Sequence, residues 1–229
     1  QICCALIVSA YILYPAGMES LTGMALLLFF SIYITGTANI YNFMDGIDGI
    51  AGITALVGYG FFAAYLFISG SPCCQAVLCL GLAVSSGAFL VFNLPKARVF
   101  MGDVGSVLLG FVFASLVASQ AWEWQSFILI AGFISLFYFD SLSTILFRLF
   151  RGDPLAKPHR LHVYQLLANE LGFSHWKVSV GFGLAQAVIN GIALVMMPEI
   201  TKIILLHLFC YLLFLGLTFF IRKKADQLR

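Results

Sequence analysis

Charged side chains are scarce in this sequence, because only 10% of its 229 residues are Asp, Glu, Lys or Arg. Soluble domains carry about a quarter charged residues, and about 45–50% of their residues are apolar. Here 62% of the residues are hydrophobic, and the mean hydropathy is +1.01. The composition excludes an ordinary soluble domain and predicts an integral membrane protein.

Several common sequence signatures are also absent. The six cysteines form no C-x-x-C pair and lie in or beside apolar runs, which indicates small apolar fillers and not disulfides or zinc ligands. The sequence has no P-loop, no dinucleotide-binding glycine motif and no Ser-His-Asp elbow, and MGDVGS at 101–106 lacks the lysine of a Walker motif. No nucleic-acid partner is predicted.

Apolar runs long enough to cross a bilayer dominate the chain. A membrane-spanning helix needs about 20 mostly apolar residues, with about 17 as the lower limit. We predict an all-α, polytopic membrane protein that forms one domain over residues 1–229, with about eight transmembrane helices, the first of them short. The predicted spans are Ile2–Tyr14, Ser20–Ala38, Ile50–Ser69, Cys74–Phe92, Val104–Ala121, Gln125–Phe147, Trp176–Met197 and Ile200–Ile221.

The basic residues predict the orientation of these spans. Eleven of the twelve Lys and Arg side chains lie in or beside the connections that follow the even-numbered spans, and only Lys202 lies on the opposite side. Because cytoplasmic connections are enriched in Lys and Arg, we place the connections after the even-numbered spans in the cytoplasm.

A periodic polar stretch, Asn39–Gly52, lies on the predicted cytoplasmic side. Asn39, Asn42, Asp45 and Asp48 recur at every third position, and three glycines repeat with the same spacing. This spacing keeps neighbouring members on shared or adjacent faces of a helical turn, and glycine lets an ion or a phosphate approach the backbone closely. The alternative is a solvated polar loop that joins two spans.

A third carboxylate, Asp103, stands between Gly102 and Gly105 at the start of a predicted span. One interpretation is a helix N-cap, because the helix dipole favours an acidic residue there. The other is a site for a hard cation, formed together with Asp45 and Asp48. Magnesium prefers few carboxylates, retained water and substrate phosphates, which suits such a site.

A basic stretch, Gly152–Gln165, contains His159, Arg160 and His162. One interpretation is a positively charged loop attracted to anionic lipid. The other is a diphosphate-binding segment beside the carboxylates, since guanidinium groups match phosphate oxygens.

Three further ionisable residues lie within or at the ends of predicted spans. Asp140 is inside a span, where such a residue is a functional candidate, and its role stays open. An ion path through Asp140 would indicate a transporter, but the sequence lacks the internal repeats that transporters show. His175 and His207 are interpreted as structural.

Three blocks of the sequence, in this order, resemble the polyprenyl-phosphate N-acetylhexosamine-1-phosphate transferases: NIYNFMDGIDG, FNLPKARVFMGDVGS and PHRLHVYQ. The resemblance covers nearly the whole chain and looks closest to the branch that initiates O-antigen, with the phospho-MurNAc-pentapeptide transferases of peptidoglycan synthesis further away. It implies an enzyme of the bacterial cytoplasmic membrane whose active site faces the cytoplasm. Such an enzyme transfers a sugar-1-phosphate from a UDP-amino sugar to undecaprenyl phosphate and releases UMP.

The resemblance also implies roles for individual residues. Asp103 and Asp45 would bind Mg²⁺, with Mn²⁺ as an alternative, and Asp45 and Asp48 would be catalytic residues of the nucleotide and metal site. The other candidate catalytic residues would be His159 and His162, and the substrate-binding residues would be Asn39, Asn42, Asn93, Phe100 and Arg160. Asn93 would bind uracil by hydrogen bonding and Phe100 by stacking. A homodimer and contacts with membrane lipid are further expectations.

One departure from the family pattern concerns an adjacent Asp-Asp pair on an earlier loop, because no Asp-Asp occurs in this sequence. We therefore expect the sequence to be the C-terminal portion of a longer chain, and this portion alone to be inactive. The alternative is a non-catalytic homologue that binds nucleotide sugar without forming product. The identity of the sugar does not follow from these residues.

Overall fold

The computed structural model describes residues 1–16, 20–71, 73–121, 123–154, 159–197 and 199–227. All regular structure within these ranges is helical. The α-helices are α1 (Ile2–Leu13), α2 (Leu21–Phe43), α3 (Ile50–Ile68), α4 (Cys73–Asn93), α5 (Gly102–Ser119), α6 (Trp124–Ala131), α7 (Ser135–Arg151), α8 (Val163–Gln165), α9 (His175–Val195) and α10 (Ile200–Asp226). Tyr14–Ala16 and Gly132–Ile134 form 3₁₀ turns, and Leu166–Glu170 forms a π-helical turn.

The predicted all-α, polytopic fold is confirmed. Seven helical segments of the described chain are long and apolar enough to cross a membrane, with Trp124–Arg151 counted as one. The remaining predicted span is α1, whose 12 residues are fewer than a full crossing needs. Helix α2 ends at Phe43 instead of the predicted Ala38, so that Asn39 and Asn42 lie on the helix.

Helix α3 and the segment Trp124–Arg151 are the most deeply buried of the membrane-spanning segments. The buried share of their most apolar stretches is 67% and 72%, compared with 17% for α10, which lies at the periphery. Helix α3 packs against α4 and α9, and α2 packs against α1 and α5. Tyr59 and Phe62 of α3 are fully buried, and the Tyr59 hydroxyl donates a hydrogen bond to the Leu109 carbonyl at 2.6 Å. In a bilayer, such close packing and hydrogen bonding hold helices together.

Gly110 sets the distance between α2 and α5. A Cβ atom at this position would lie 2.6 Å from Cβ of Tyr41 and 2.9 Å from Cα of Ala38, so that any larger residue would push the helices apart. Small residues allow membrane helices to approach closely. The close approach brings the end of α2, with Asn42, beside the start of α5, with Asp103.

The sequence predicts one continuous span at Gln125–Phe147, but the structure interrupts it with the turn Gly132–Ile134. Side chains of α9 bind the backbone groups at this break. Gln186 accepts a hydrogen bond from the Leu136 amide at 2.8 Å and donates to the Gly132 carbonyl at 3.1 Å. Asn190 donates to the Phe133 carbonyl at 3.1 Å. Irregular backbone at membrane depth is tolerated where neighbouring helices satisfy it in this way.

The polar connections that were predicted to share one side do lie at one end of the bundle. Residues of the α2–α3 and α4–α5 connections line one cavity together with the start of α9. Helix α8 reaches the same end, because the hydroxyl of its Tyr164 donates to the Phe43 carbonyl at 2.9 Å. Candidate functional residues from distant parts of the sequence are therefore neighbours.

Candidate functional site

A cavity of about 280 Å³ opens where α2, α5 and α9 meet. It gathers five of the residues that the sequence singled out, together with His175, which was interpreted as structural. The lining residues are Asp45, Gly46, Ile47, Asp48, Asn93, Phe100, Met101, Gly102, Asp103 and His175. We call it the carboxylate cavity because its functional side chains are mainly acidic.

Asp103 lies in the first turn of α5, as predicted, and its side chain is exposed. The interpretation of Asp103 as an N-cap is wrong, because the N-cap position is Met101 and no side chain caps this helix. Asn42 Nδ2 instead donates to Asp103 Oδ1 at 3.2 Å and to Ser106 Oγ at 2.9 Å. Asn42 thus fixes the start of α5 against α2, and the remaining Asp103 oxygen is available to a ligand.

Asp45 is partly buried at the wall of the carboxylate cavity. Burial, and secondarily the negative charge of Asp103, raise the pKa of Asp45 from 3.8 to about 6. The two carboxylates therefore face the same small space, where a divalent cation would offset their repulsion. Mg²⁺ commonly uses one or two carboxylates together with substrate phosphates, so this pair fits that ion.

The expected arrangement of all three carboxylates around one ion is not what the structure shows. No group of three His, Cys, Asp or Glu side chains in metal-binding arrangement occurs among the described residues. Asp48 is directed elsewhere: its Oδ2 accepts from the Ala97 amide at 3.3 Å and lies 3.3 Å from His175 Nδ1. Ser179 of α9 also donates to the Asp48 carbonyl at 2.7 Å. Asp48 thus joins the α4–α5 connection to α9.

His175 is the residue of the cavity that sequence reasoning missed. It begins α9, and its partly exposed ring lies beside both the amide and the carboxylate of Asp48, at 3.4 Å and 3.3 Å. The sequence offered one signal, since His175 follows a connection on the predicted cytoplasmic side. Its contact with a residue 127 positions away could not be read from the sequence.

Asn93 and Phe100 both line the cavity, as expected for residues that bind one ligand. Asn93 is buried, and its amide links two backbone segments, accepting from the Gly49 amide at 2.6 Å and donating to the Val99 carbonyl at 2.8 Å. The Phe100 ring is 77% exposed, so one face is open to a stacking partner. Asn93 therefore shapes the cavity wall, and its predicted bond to uracil stays a prediction.

The basic residues form a second cluster and do not line the carboxylate cavity. His162 is buried, with Nδ1 3.2 Å from Asp140 Oδ1, and its ring lies 5.1 Å from that of His159. Arg160 is exposed. The two clusters are neighbours, because Tyr164 contacts both the His162 ring and the loop at Gly46, and the diphosphate-binding role expected for the basic residues stays a prediction. Residues 155–158 of the basic stretch lie outside the described residues.

His159 is uncharged at neutral pH. Burial, the neighbouring His162 and the positive charges of Arg148 and Arg222 lower the pKa of His159 from 6.5 to about 4. A neutral imidazole can accept or donate a hydrogen bond, but it adds no positive charge for a diphosphate. The cluster's positive charge comes from its arginines.

Asn39 is separate from both clusters. Its Nδ2 donates to the Thr35 carbonyl of its own helix at 2.8 Å. The three-residue spacing therefore does not bring all four polar residues of the periodic stretch together. Helix α2 ends between Asn42 and Asp45, and the regular spacing continues into irregular backbone.

Comparison with known proteins gives the family. The profile of "Glycosyl transferase family 4" matches residues 1–121, slightly more than half of the chain. This chain belongs to glycosyl transferase family 4. The matched range includes the periodic stretch and Asp103, and it ends before the basic stretch, His162 and His175.

Two relatives of this family 4 member carry the same name. The chain is 31% identical over 197 residues to the phospho-N-acetylmuramoyl-pentapeptide-transferase of Lactococcus lactis subsp. cremoris strain SK11, covering 81% of this chain and 57% of that relative. It is 29% identical over 190 residues to the enzyme of the same name from Streptococcus pneumoniae strain CGSP14, covering 75% and 56%. The chain thus spans somewhat more than half the length of these relatives.

Proposed function

We propose that this protein transfers a sugar-1-phosphate of the N-acetylhexosamine type from a UDP-amino sugar to undecaprenyl phosphate, releasing UMP. The observation that carries the proposal is the carboxylate cavity, which combines Asp45 and Asp103 with an open aromatic face at Phe100. This combination suits a ligand with a diphosphate and a planar base. Family membership supports the same class of reaction.

Phosphoryl transfer depends mainly on alignment and on neutralising charge, with little covalent help from the protein. Asp45 and Asp103 would hold Mg²⁺, or alternatively Mn²⁺, which when bound offsets the negative charge of the donor diphosphate. Asn42 keeps Asp103 in place through its 3.2 Å hydrogen bond. Asp48 holds the α4–α5 connection against α9, and this connection contains Phe100, which would stack on uracil.

The proposal places the cavity at the cytoplasmic face of the bacterial inner membrane. The basic connections lie at the end of the bundle that carries the cavity, and cytoplasmic connections are enriched in Lys and Arg. The donor is water-soluble and the acceptor is embedded in the membrane, so a site at the interface serves both. Initiation of a lipid-linked glycan such as O-antigen is the role that we propose.

A second donor is favoured by the names of the relatives, which are phospho-N-acetylmuramoyl-pentapeptide-transferases. The same cavity could accept the diphosphate and uracil of UDP-N-acetylmuramoyl-pentapeptide. The two candidates differ in the sugar and not in the transfer itself. A donor panel separates them.

The test is UMP release by protein expressed from its natural reading frame, purified and reconstituted with undecaprenyl phosphate and Mg²⁺. The donors are UDP-N-acetylglucosamine, UDP-N-acetylgalactosamine, a UDP-deoxyamino sugar and UDP-N-acetylmuramoyl-pentapeptide. We expect one donor to give lipid-dependent UMP that is lost with EDTA and in Asp103→Asn. Asp153→Asn is the matched control, because Asp153 pairs with Arg151 outside the cavity.

Two results would overturn parts of this proposal. If folded protein bound UDP-sugar but released no UMP from any donor, the non-catalytic alternative would replace the enzyme. If UMP release persisted in EDTA, the proposed metal role of Asp45 and Asp103 would be wrong.

A further inference from the structure

Asp140 of α7 is a fully buried carboxylate within a membrane-spanning segment. A buried charge is costly unless hydrogen bonds compensate it. Here Oδ1 accepts from the Val163 amide at 2.9 Å and from Thr144 Oγ1 at 3.3 Å, and Oδ2 accepts from the Tyr164 amide at 3.2 Å. The carboxylate thus binds the first turn of α8, which follows His162 directly.

The same carboxylate determines which nitrogen of His162 carries a proton. His162 Nδ1 lies 3.2 Å from Asp140 Oδ1. Oδ1 already accepts from two other donors and Oδ2 from a third, so this carboxyl group acts as a hydrogen-bond acceptor, and Nδ1 then supplies the hydrogen of its contact with Oδ1. In the neutral ring Nε2 then has the free lone pair, and a fixed partner on one nitrogen also fixes the orientation of the other.

Tyr164 extends this arrangement to the carboxylate cavity. Its amide donates to Asp140, and its hydroxyl donates to the Phe43 carbonyl, 2.9 Å away at the end of α2. A Cβ atom on Gly46 would collide with the Tyr164 hydroxyl, so that the loop beside Asp45 packs directly on this ring. The position of Asp45 and the position of His162 therefore both depend on the turn that Asp140 holds.

We infer that Asp140 is a positioning residue of the proposed transferase. It keeps His162 protonated on Nδ1, so that Nε2 is presented as a hydrogen-bond acceptor, and it seats Tyr164 against the loop that carries Asp45. Asp140 does not touch substrate in this scheme. This role explains the intramembrane carboxylate without an ion path. The expected effect of Asp140 on turnover rests on the proposed function.

The first test determines by ¹⁵N NMR which ring nitrogen of His162 carries a proton, and it does not require turnover. Protein labelled with ¹⁵N-histidine contains only four histidines, and His162→Gln assigns the signal of interest. We expect the ¹⁵N spectrum to show Nδ1 protonated in the wild type, and this population to fall in Asp140→Asn. Asp153→Asn, which alters an acidic residue of the same connection, should leave the signal unchanged. A wild-type His162 that is neutral and protonated on Nε2 would overturn the inference, even if Asp140→Asn fails to fold.

The second test compares turnover in a double-mutant cycle. Carboxylate partners of metal-ligating histidines are typically worth about 10- to 100-fold in activity, and we expect Asp140→Asn to lower kcat by a factor of this order. If Asp140 acts through His162, Asp140→Asn should cost much less in a His162→Gln background. Fully multiplicative losses would overturn the inference that Asp140 acts through His162.

A third variant, Tyr164→Phe, separates the effect of Asp140 on His162 from the contact between Tyr164 and Phe43. It should lower turnover while leaving the His162 signal unchanged, because only the bond to Phe43 is lost. An unchanged turnover in Tyr164→Phe would remove Tyr164 from the scheme. If no donor is turned over at all, the proposed function fails, but the ¹⁵N result still decides whether Asp140 sets the His162 proton.

Discussion

Asp45→Asn should stabilise the metal-free protein at pH 8, although it removes a side chain of the proposed active site. The wild-type carboxyl is partly buried and close to Asp103, so its ionised form is unfavourable in the folded state. A pKa raised from 3.8 to about 6 corresponds to about 3 kcal/mol at 1.36 kcal/mol per pKa unit. Solvent screens a partly exposed group, so we expect about 1–2 kcal/mol.

The sign of the pH dependence follows from the direction of this shift. Asp45 contributes stability that is fully present below its unfolded pKa of 3.8 and is lost as the pH rises through about 6. The advantage of Asp45→Asn should therefore be largest at pH 8 and about half as large at pH 5, where the folded carboxyl is mostly protonated but the unfolded one is not.

The assay is thermal unfolding in detergent with EDTA, and then with Mg²⁺. At pH 8 in EDTA, the apparent Tm of Asp45→Asn should exceed that of the wild type, by about 2–4 °C for each kcal/mol. Addition of Mg²⁺ should raise the Tm of the wild type and leave that of Asp45→Asn nearly unchanged, since a ligand stabilises only the state that binds it. Asp153→Asn should behave as the wild type does.

Either of two results would refute this reasoning. A lower Tm for Asp45→Asn in EDTA at pH 8 would show that the carboxylate makes favourable contacts that outweigh its repulsion. An undiminished response of Asp45→Asn to Mg²⁺ would show that the ion binds elsewhere.

Three further predictions concern the cavity and its supports. His175→Gln should lower both the Tm and kcat/KM, because His175 Nδ1 accepts from the Asp48 amide and lies 3.3 Å from the Asp48 carboxylate, and such a contact contributes about 1.5 kcal/mol to stability. Unchanged UMP release would contradict this. Gln186→Leu leaves buried backbone groups of the α6–α7 break unpaired, so denaturation should show a loss of about 1–3 kcal/mol, and full stability would contradict it. Gly46→Ala should displace Tyr164 and reduce turnover, whereas Gly60→Ala, which meets open space, should not.

The membrane fold could be predicted because hydropathy measures how favourably a segment enters lipid. The break in α6–α7 could not, because the turn Gly132–Ile134 is as apolar as its surroundings. What permits the break is a hydrogen-bonding partner, Gln186, some 50 residues further along the chain. Pairings of this kind depend on which helices become neighbours, and the sequence does not display that.

The candidate site could likewise be predicted from the sequence only in part. Asp45, Asp48 and Asp103 could be found because carboxylates flanked by glycine at a membrane interface are unusual, and all three line one cavity. The different contacts of the three could not be predicted, since Asp48 pairs with His175, which lies 127 positions further along the chain. The basic stretch was expected beside the carboxylates, but the contact that holds His162, with Asp140 inside the bundle, could not be predicted from the sequence.

The two clusters nevertheless depend on each other for their geometry. Asp45 stands in a loop that packs on Tyr164, and Tyr164 belongs to the turn that Asp140 fixes beside His162. The carboxylate cavity is acidic and would need a cation before an anionic donor enters, whereas the second cluster places Arg148 and Arg222 close to a neutral His159. Arg148 and Arg222 are buried and bonded within the second cluster, so they hold its structure together. The Tyr164 link ties the position of Asp45 to that of His162, so that a change in either cluster would displace the other.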